Sequence, residues 1–319
     1  STGTPKAAGV YHQGFSHLTQ WYQQTFQWTT DDSTLIISSF SFDLTQKNLM
    51  TPLLCGASVV FAEHSHYDPT SLLSTCRKEK ISWLNCAPSA FYPLIENTQN
   101  FVALKSLKQL ILGGEVIQKS RINHWLQQMP TSFLLTNSYG PTECTDIALF
   151  HQIKGGSSIS SIPLGQPIDR VQCYLLDNHN QPQPPGIVGE ICIAGMGVGA
   201  GYINDAEKTQ TSFTKLSLFS NDEQTIYHTG DAARINQFGQ IEYIGRLDNQ
   251  VKIRGLRIEI GEIENTLIHL AAIKQAVVVV QNDKLLAYLV VEDRVIPQED
   301  EFCLSTIKQA LSNQLTTAM

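Results

Sequence analysis

The chain has 319 residues, of which 42% are hydrophobic and 16% charged, the composition of an ordinary soluble globular protein with room for one large domain and a smaller one. Its net charge of −7 argues against nucleic-acid partners and anionic membrane surfaces, and no apolar stretch approaches the ~20 residues needed to span a bilayer. The seven cysteines lack CxxC or metal-ligand spacing, which favours reduced, buried thiols in a cytoplasmic protein.

The first six residues form a Ser/Thr/Gly-rich stretch that ends in Lys6. Hydroxyls, backbone N–H groups and an ammonium suit a loop that wraps phosphates, although the stretch is not a GxxxxGK[ST] P-loop and resembles many surface turns. Because the chain begins inside this loop and breaks off at Met319, just after an apparent helix, we expect it to be a piece of a longer protein.

Helical and strand patterns alternate through the first half of the chain. Helices are predicted at 15–26, 44–54 and 69–79, and strands at 34–39, 58–62, 81–86, 107–112 and 132–135. This alternation predicts an α/β fold with a largely parallel sheet, in which ligands collect at the carboxyl ends of the strands. Polar or glycine residues lie just beyond four strands, at Asp43, Asn85, Gly113-Gly114 and Asn137.

From about residue 162 the pattern becomes β-rich. Short strands at 172–177, 189–195 and 241–244 are separated by Pro/Gly turns, and the glycines of 195–201 miss the GxGxxG spacing, so we interpret them as a close-packed strand exit. The segment 227–231 is predicted to place Asp231 on a turn. A helix at 261–270, strands at 276–280 and 285–291 and a helix near 303–315 complete the chain.

One segment, NSYGPTE at 137–143, combines residue types that suit different parts of a nucleotide. Tyr139 before Gly-Pro places a flat stacking face on a tight turn. Thr142 and Glu143 offer a hydroxyl and a carboxylate side by side, which can hold a phosphate oxygen and its Mg²⁺. Taken alone, the segment is equally well a loop between the strand at 132–135 and a helix, because short motifs give many false positives.

Six segments follow one another along the chain: STGTPK (1–6), FSFD (40–43), NSYGPTE (137–143), GEICIAGMGVGAGY (189–202), YHTGD (227–231) and GRLDNQVKIRGLRIEIGEIE (245–264). In this order they resemble the adenylate-forming superfamily, and most closely the amino-acid adenylation domains of non-ribosomal peptide synthetases. The resemblance implies a large core of mixed and parallel sheets with helices over 1–248, β-rich over 162–248. It implies a small mobile α+β C-terminal domain, here incomplete, over 249–319.

The activity implied by this resemblance has two steps. A substrate carboxylate attacks the α-phosphate of ATP to give an aminoacyl adenylate and pyrophosphate, and the adenylate then passes to the phosphopantetheine thiol of a carrier domain. Such chemistry depends on positioning and charge neutralisation more than on acid–base catalysis.

The implied nucleotide-binding roles fall on residues in these segments. Thr2, Thr4 and Lys6 would enclose the β- and γ-phosphates, Thr142 would touch the α-phosphate, and Glu143 would hold Mg²⁺. Tyr139 would stack on adenine with Asn137 at its amino edge, and Gly114 would also lie in the nucleotide site. Asp231 and Arg246 would bind the ribose, Lys252 would lie near the ribose and the adenylate, and Asp248 would be the hinge of the C-terminal domain.

The resemblance also implies an amino-acid pocket. Asp43 matches the anchor of the substrate α-amino group, and the side-chain pocket corresponds to Leu44, Lys47, Asn85, Ile111, Gly113, Ser138, Asp146 and Ile147. If Lys47 faces the ligand unpaired, a Glu or Gln substrate is favoured. If Lys47 pairs with Asp146, the pocket is neutral and suits a small polar side chain. Either arrangement favours a polar substrate.

Three departures and two rival functions stand beside this interpretation. The family's second catalytic lysine would follow Met319, the part upstream of the phosphate loop is absent, and Ala7 replaces a usual glycine, so we expect the fragment alone to be inactive. An acyl- or aryl-CoA ligase shares the ATP motifs but does not need Asp43. A non-catalytic nucleotide-binding remnant is the other rival, against which the intact Thr142, Glu143 and Asp231 argue.

Overall fold

A computed structural model of the chain describes residues 6–62, 67–218, 222–248, 250–253, 256–269, 273–281 and 284–291, together with 307 and 311. The chain forms two compact units, Ala7–Leu247 and a second one of Asp248–Met319 with Ser1–Lys6. None of the helices within the described ranges is long and apolar enough to cross a membrane.

The first half of the larger unit contains eight strands: β1 (Ala8–Gly9), β2 (Ser33–Ile36), β3 (Ser58–Phe61), β4 (Trp83–Cys86), β5 (Gln109–Gly113), β6 (Leu134–Tyr139), β7 (Leu149–Lys154) and β8 (Gln166–Pro167). A seven-stranded sheet has the order β3-β2-β4-β5-β6-β7-β8. The pairs from β3 to β6 are parallel, and β7 and β8 join antiparallel. The predicted largely parallel sheet is confirmed.

Helices cover this sheet: α1 (His12–Phe26), α2 (Asp43–Leu54), α3 (Pro69–Lys78), α4 (Pro88–Phe91) and α5 (Lys119–Gln128), with 3₁₀ turns at Tyr92–Ile95, Thr98–Leu104 and Thr142–Cys144. The side chains of β5 alternate between two cores, because successive residues of a strand point to opposite faces. Leu110 and Leu112 pack with Trp125 of α5, whereas Ile111 packs with the aromatic side of α1. Both faces of the sheet are therefore buried, as a parallel sheet requires.

The second half of the larger unit is a five-stranded antiparallel sheet with the path β12-β13-β10-β9 and β14 paired to β13. Its elements are β9 (Val171–Leu176), β10 (Gly189–Gly195), β11 (Gly201–Tyr202), α6 (Ala206–Ser212), β12 (Phe213–Leu216), β13 (Gln224–Ile235) and β14 (Ile241–Arg246), of which β11 pairs with β1. The expected turn at 227–231 is wrong: these residues lie inside β13, where Gly230 adopts a φ of 71°.

The second unit contains β15 (Gln250–Ile253), β16 (Leu256–Glu259), α7 (Ile260–Ile268), β17 (Ile273–Gln281) and β18 (Lys284–Val291). β15 pairs with β16 and β17 with β18, both antiparallel. Its core joins Ile253, Ile258, Ile263 and Leu267 to the buried side of β17. The predicted helix near 303–315 lies outside the described residues except at 307 and 311.

Candidate functional site

The carboxyl ends of β5 and β6 meet in register, and their close contact explains a glycine. Gly113 at the end of β5 pairs with Ser138 of β6. A Cβ at Gly113 would lie 2.5 Å from Ser138 Oγ and 3.0 Å from its carbonyl oxygen. Two predicted pocket residues are therefore adjacent, and the strands leave room for no side chain at 113. The expectation that Asn85, Gly113 and Asn137 lie just beyond their strands is wrong, since β4 runs through Cys86, β5 through Gly113 and β6 through Tyr139.

A tight reversal follows β6. Gly140 and Pro141 lead into the 3₁₀ turn Thr142–Cys144, and Thr145 and Asp146 then adopt positive φ values of 61° and 69°. The reversal is closed by a hydrogen bond from the Ala148 N–H to the Tyr139 carbonyl, 2.9 Å. The chain returns as β7 rather than as the helix that one interpretation of the motif expected.

The structure brings Asp43 to this turn. Asp43 is the first residue of α2, and its Oδ1 accepts from the Leu44 N–H at 2.7 Å. Its Oδ2 accepts from Thr142 Oγ1 at 2.6 Å, although the two residues are 99 positions apart. The N-terminal end of a helix favours a negative charge, and here it places the carboxylate beside a hydroxyl of the turn.

Glu143 is buried and held in place from two sides. Tyr202 donates its hydroxyl to Glu143 Oε1 at 2.6 Å, and the Glu143 carbonyl accepts from the Gly199 N–H at 2.9 Å. A Cβ at Gly199 would lie 2.4 Å from the Gly9 carbonyl oxygen, which confirms the close-packed exit predicted for this glycine-rich segment. The role of Tyr202 was missed, because its position in the sequence does not indicate a partner 59 residues away.

A second buried carboxylate, Asp231 on β13, faces the same strand end. Tyr139 donates its hydroxyl to Asp231 Oδ2 at 2.6 Å, and Arg246 Nη1 donates to Asp231 Oδ1 at 3.0 Å. Arg246 also donates to the Thr229 carbonyl at 2.8 Å. Burial, with the Asp231 charge beside it, raises the pKa of Tyr139 well above its ordinary value, so its hydroxyl stays a donor. Tyr139, Asp231 and Arg246 come from three of the predicted segments and form one hydrogen-bonded network.

Lys47 and Asp146 form an ion pair, with Lys47 Nζ 2.6 Å from Asp146 Oδ2 and the lysine side chain only 1% exposed. Of the two arrangements left open by the sequence, the structure contains the paired one. Lys47 Nζ also lies 5.7 Å from the centroid of the Tyr22 ring. Burial raises the pKa of Asp146 to about 6 against the opposing effect of the Lys47 ammonium. The pair is therefore neutral overall above that pH.

The remaining predicted pocket residues are on neighbouring elements. Asn85 of β4 donates to Asn48 Oδ1 of α2 at 3.1 Å. Ile111 and Ile147 belong to the core cluster that includes Tyr139, and Leu44 is half-buried on α2. Their contact with a substrate stays a prediction.

Several predicted nucleotide residues are described in part or not at all. Thr2 and Thr4 lie outside the described residues, Lys6 is exposed, and of Lys252 only the backbone in β15 is described. Asn137 is buried and donates Nδ2–H to the Pro163 carbonyl at 2.8 Å, while Gly114 follows β5 with a φ of 81°. Asp248 begins the second unit, and its Oδ1 accepts from the Gln250 N–H at 3.0 Å. The roles expected for all seven stay predictions.

Glu190 is a further residue that the sequence did not single out. Its Oε1 accepts from the Gly230 N–H at 2.8 Å, and its Oε2 lies 2.9 Å from His228 Nδ1. Burial raises the pKa of Glu190, but these hydrogen bonds outweigh that effect and hold the pKa below its ordinary value. The carboxylate therefore fixes the strand segment immediately before Asp231.

Comparison with known proteins identifies a family and several relatives that match most of the chain. A profile of the family described as AMP-binding enzyme matches residues 1–203. Tyrocidine synthase 3 of Brevibacillus parabrevis is 38% identical over 92% of this chain and 5% of its own length. Bacitracin synthase 3 of Bacillus licheniformis is 34% identical over 100% of this chain and 5% of its own length. The chain thus spans about 5% of the length of these curated relatives.

A solved structure is similar throughout the chain. PA1221, described as an NRPS protein containing adenylation and PCP domains, is 29% identical with a TM-score of 0.85, over 100% of this chain and 62% of its own. This likeness confirms the predicted architecture of mixed sheets with helices.

Proposed function

The chain belongs to the AMP-binding enzyme family, and we propose that it is the adenylation domain, in part, of a non-ribosomal peptide synthetase. In this proposal the domain activates an amino acid with ATP as an aminoacyl adenylate, releases pyrophosphate, and passes the aminoacyl group to the phosphopantetheine thiol of a carrier domain. Two synthases more than 30% identical over most of this chain support it, as does a neighbour of known structure with adenylation and PCP domains.

The observation that carries this proposal is the contact between Asp43 and Thr142. If Thr142 contacts the α-phosphate, a carboxylate 2.6 Å from its hydroxyl lies within reach of a small substrate at that phosphate. A substrate α-ammonium would pair with Asp43, which leaves the α-carboxylate directed towards the phosphorus. Such fixed geometry supplies the positioning that an in-line attack needs. A fatty or aryl acid offers no cation for Asp43, and an unpaired carboxylate in a closed site is costly.

Nucleoside binding is assigned to the hydrogen-bonded side chains of Tyr139, Asp231 and Arg246. The Asp231 carboxylate is fixed by two donors, so it is preorganised to accept from the vicinal hydroxyls of a ribose. Tyr139 would offer its ring to adenine and Asn137 its amide to the amino edge, with Gly114 leaving space beside them.

Phosphate binding is assigned to the turn after β6 and to the first six residues of the chain. The donor set fits Mg²⁺, since the Glu143 carboxylate is held by Tyr202 and Thr142 adds a neighbouring hydroxyl. Mg²⁺ would neutralise charge on the phosphates when bound. Thr2, Thr4 and Lys6 would enclose the β- and γ-phosphates. Lys252 would approach the adenylate through rotation about Asp248.

The substrate side chain is proposed to be small and polar. The Lys47–Asp146 pair makes this wall of the pocket neutral but strongly polar, and Asn85 and Ser138 add an amide and a hydroxyl. A neutral polar group can hydrogen-bond to these groups without leaving one of the paired charges uncompensated.

The test is amino-acid-dependent ATP–pyrophosphate exchange by the chain extended at both ends to the length of a whole adenylation domain. We expect exchange with one or a few polar amino acids and a rise in the amino-acid KM of at least ~30-fold in Asp43→Asn, corresponding to about 2 kcal/mol for a lost charge pair. Exchange that depends on a carboxylic acid without an amino group, unchanged by Asp43→Asn, would instead assign an acyl- or aryl-CoA ligase.

A further inference from the structure

Three side chains of the types that bind metal ions converge on the five-stranded sheet, away from the turn after β6. Glu190 and Cys192 lie on β10 and His228 lies on β13. Their ligand atoms all fall within 4.8 Å of one another. Within the part of the chain that the structure describes, they form the one group of three or more such residues with this spacing.

Strand register explains how the three residues meet. Cys192 is directly opposite His228 in the antiparallel pair of β10 and β13, so their side chains share a face. Glu190 lies two positions before Cys192 on β10 and so points to the same face, where its Oε2 reaches His228, and a register shift interrupts the pairing between Glu190 and Cys192. The group therefore results from the alternation of side chains along β10 and from the register that sets His228 opposite Cys192.

The distances agree with a tetrahedral ion of the Zn²⁺ type. Bonds of about 2.0 Å to nitrogen or oxygen and about 2.3 Å to sulfur require ligand separations of roughly 3.3 Å for N to O and 3.5 Å for N to S. His228 Nδ1 lies 2.9 Å from Glu190 Oε2 and 3.4 Å from Cys192 Sγ. Shifts of a few tenths of an ångström would therefore admit the ion.

The surroundings also suit such an ion. His228 Nε2 lies 2.9 Å from Thr214 Oγ1, so the ring nitrogen opposite the proposed ligand atom already has a partner that orients it. Cys192 belongs to a small apolar cluster with Leu176, Ala194 and Ile226, which limits the access of water on that side.

We propose that Glu190, Cys192 and His228 bind a Zn²⁺-type ion through Oε2, Sγ and Nδ1, with a water in the fourth position. Binding requires the Cys192 thiolate and a lone pair on His228 Nδ1, so the Cys192 proton passes to solvent and the imidazole takes the tautomer with its proton on Nε2, which donates to Thr214 Oγ1. Because three protein ligands leave the fourth position open, the water there would exchange with solvent. Glu190 Oε1 meanwhile keeps its bond to the Gly230 N–H, so occupancy acts on the strand segment next to Asp231.

Cobalt(II) provides the probe, since a thiolate–cobalt bond gives a near-ultraviolet charge-transfer band. The apo protein, extended at both ends, is titrated with Co²⁺ alone and then with Zn²⁺ as competitor. We expect a band that saturates at one equivalent and is displaced by Zn²⁺. Cys192→Ser should abolish the band, whereas Cys55→Ser, at the half-buried thiol that follows α2, should keep it.

A second variant guards against misfolding of Cys192→Ser. His228→Gln keeps every thiol, and we expect it to lower zinc retention in equilibrium dialysis by at least tenfold while the circular dichroism spectrum is unchanged. No cobalt band in the folded wild type, or a band that survives in Cys192→Ser, would overturn the proposal and leave a hydrogen-bonded network only. These readouts need no nucleotide or amino acid, so they fail independently of the proposed activity.

Discussion

Replacing Gly140 with alanine tests whether the reversal after β6 positions the site. A Cβ at Gly140 would lie 2.0 Å from the Asp146 carbonyl oxygen and 2.7 Å from the Ala148 nitrogen. Both are backbone atoms, so no side-chain rotation relieves the contact. Asp146 must move by at least ~1 Å to bring this contact to 3.0 Å, below which real Cβ contacts are essentially never found. The movement strains the 2.6 Å pair with Lys47 and the hydrogen bond between Ala148 and Tyr139.

The cost of such overpacking is typically about 1–3 kcal/mol. For a unit the size of Ala7–Leu247, a loss of this size lowers the melting temperature by roughly 2–12 °C. A displacement of about 1 Å in a positioned site costs on the order of 10²-fold in rate. We therefore expect Gly140→Ala to be less stable and to lose pyrophosphate exchange by about that factor.

Thermal unfolding and exchange kinetics measure the two effects in the chain extended at both ends. Gly245→Ala is the matched control, because a Cβ there meets no atom within 4 Å and φ is not positive. It should stay within about 0.5 kcal/mol of the parent. If Gly140→Ala behaves like Gly245→Ala in both assays, the reversal is not rigid in the way described and the reasoning fails.

Three further changes probe the neighbouring contacts. Tyr202→Phe removes the donor to Glu143, so the Mg²⁺ concentration for half-maximal exchange should rise several-fold. Tyr174→Phe, whose hydroxyl accepts from Gln224 Nε2 instead, should leave it unchanged; equal values in the two variants would contradict a role of Glu143 in binding the metal. Tyr139→Phe should lower the free energy of unfolding, in urea titrations, by about 1.5–3 kcal/mol for its lost bond to a buried charge, and an unaltered midpoint would contradict this. The pKa of Asp146 is raised to about 6, so most of its carboxylate is protonated at pH 5.5 and Lys47 then loses its charged partner. The ratio of kcat/KM for Glu over Gln should therefore rise between pH 7.5 and 5.5, and a flat ratio would refute the pairing argument.

The sequence predicted α1–α3 and β2–β6 because these strands are short and apolar and alternate with helical patterns, but it predicted neither α5 nor β7. It misassigned 227–231 as a turn, since Gly230 and Asp231 are typical turn residues. In the structure β10 and β14 supply pairing partners on either side of this segment, and tertiary pairing outweighs local preference.

Contacts between distant segments were less accessible to sequence reasoning. The resemblance indicated Asp43 and Thr142 separately, but their 2.6 Å contact depends on how α2 meets the end of β6. The sequence left open whether Lys47 is paired or unpaired. Asp146 is 99 residues away, and it reaches the Lys47 ammonium only because Thr145 and Asp146 both adopt positive φ values in the folded turn. The register that sets His228 of β13 opposite Cys192 of β10 likewise has no local signal.

The most direct test of the account compares two non-hydrolysable adenylate analogues that differ only in the α-amino group. Calorimetry would measure their binding to the chain extended at both ends, with Asp43→Asn as the matched variant. Asp43, fixed at the start of α2 and against Thr142, should favour the amino analogue by at least ~30-fold, and Asp43→Asn should remove that preference. Equal binding of the two analogues by the folded wild-type protein would contradict the assignment of Asp43 and, with it, the activation of an amino acid.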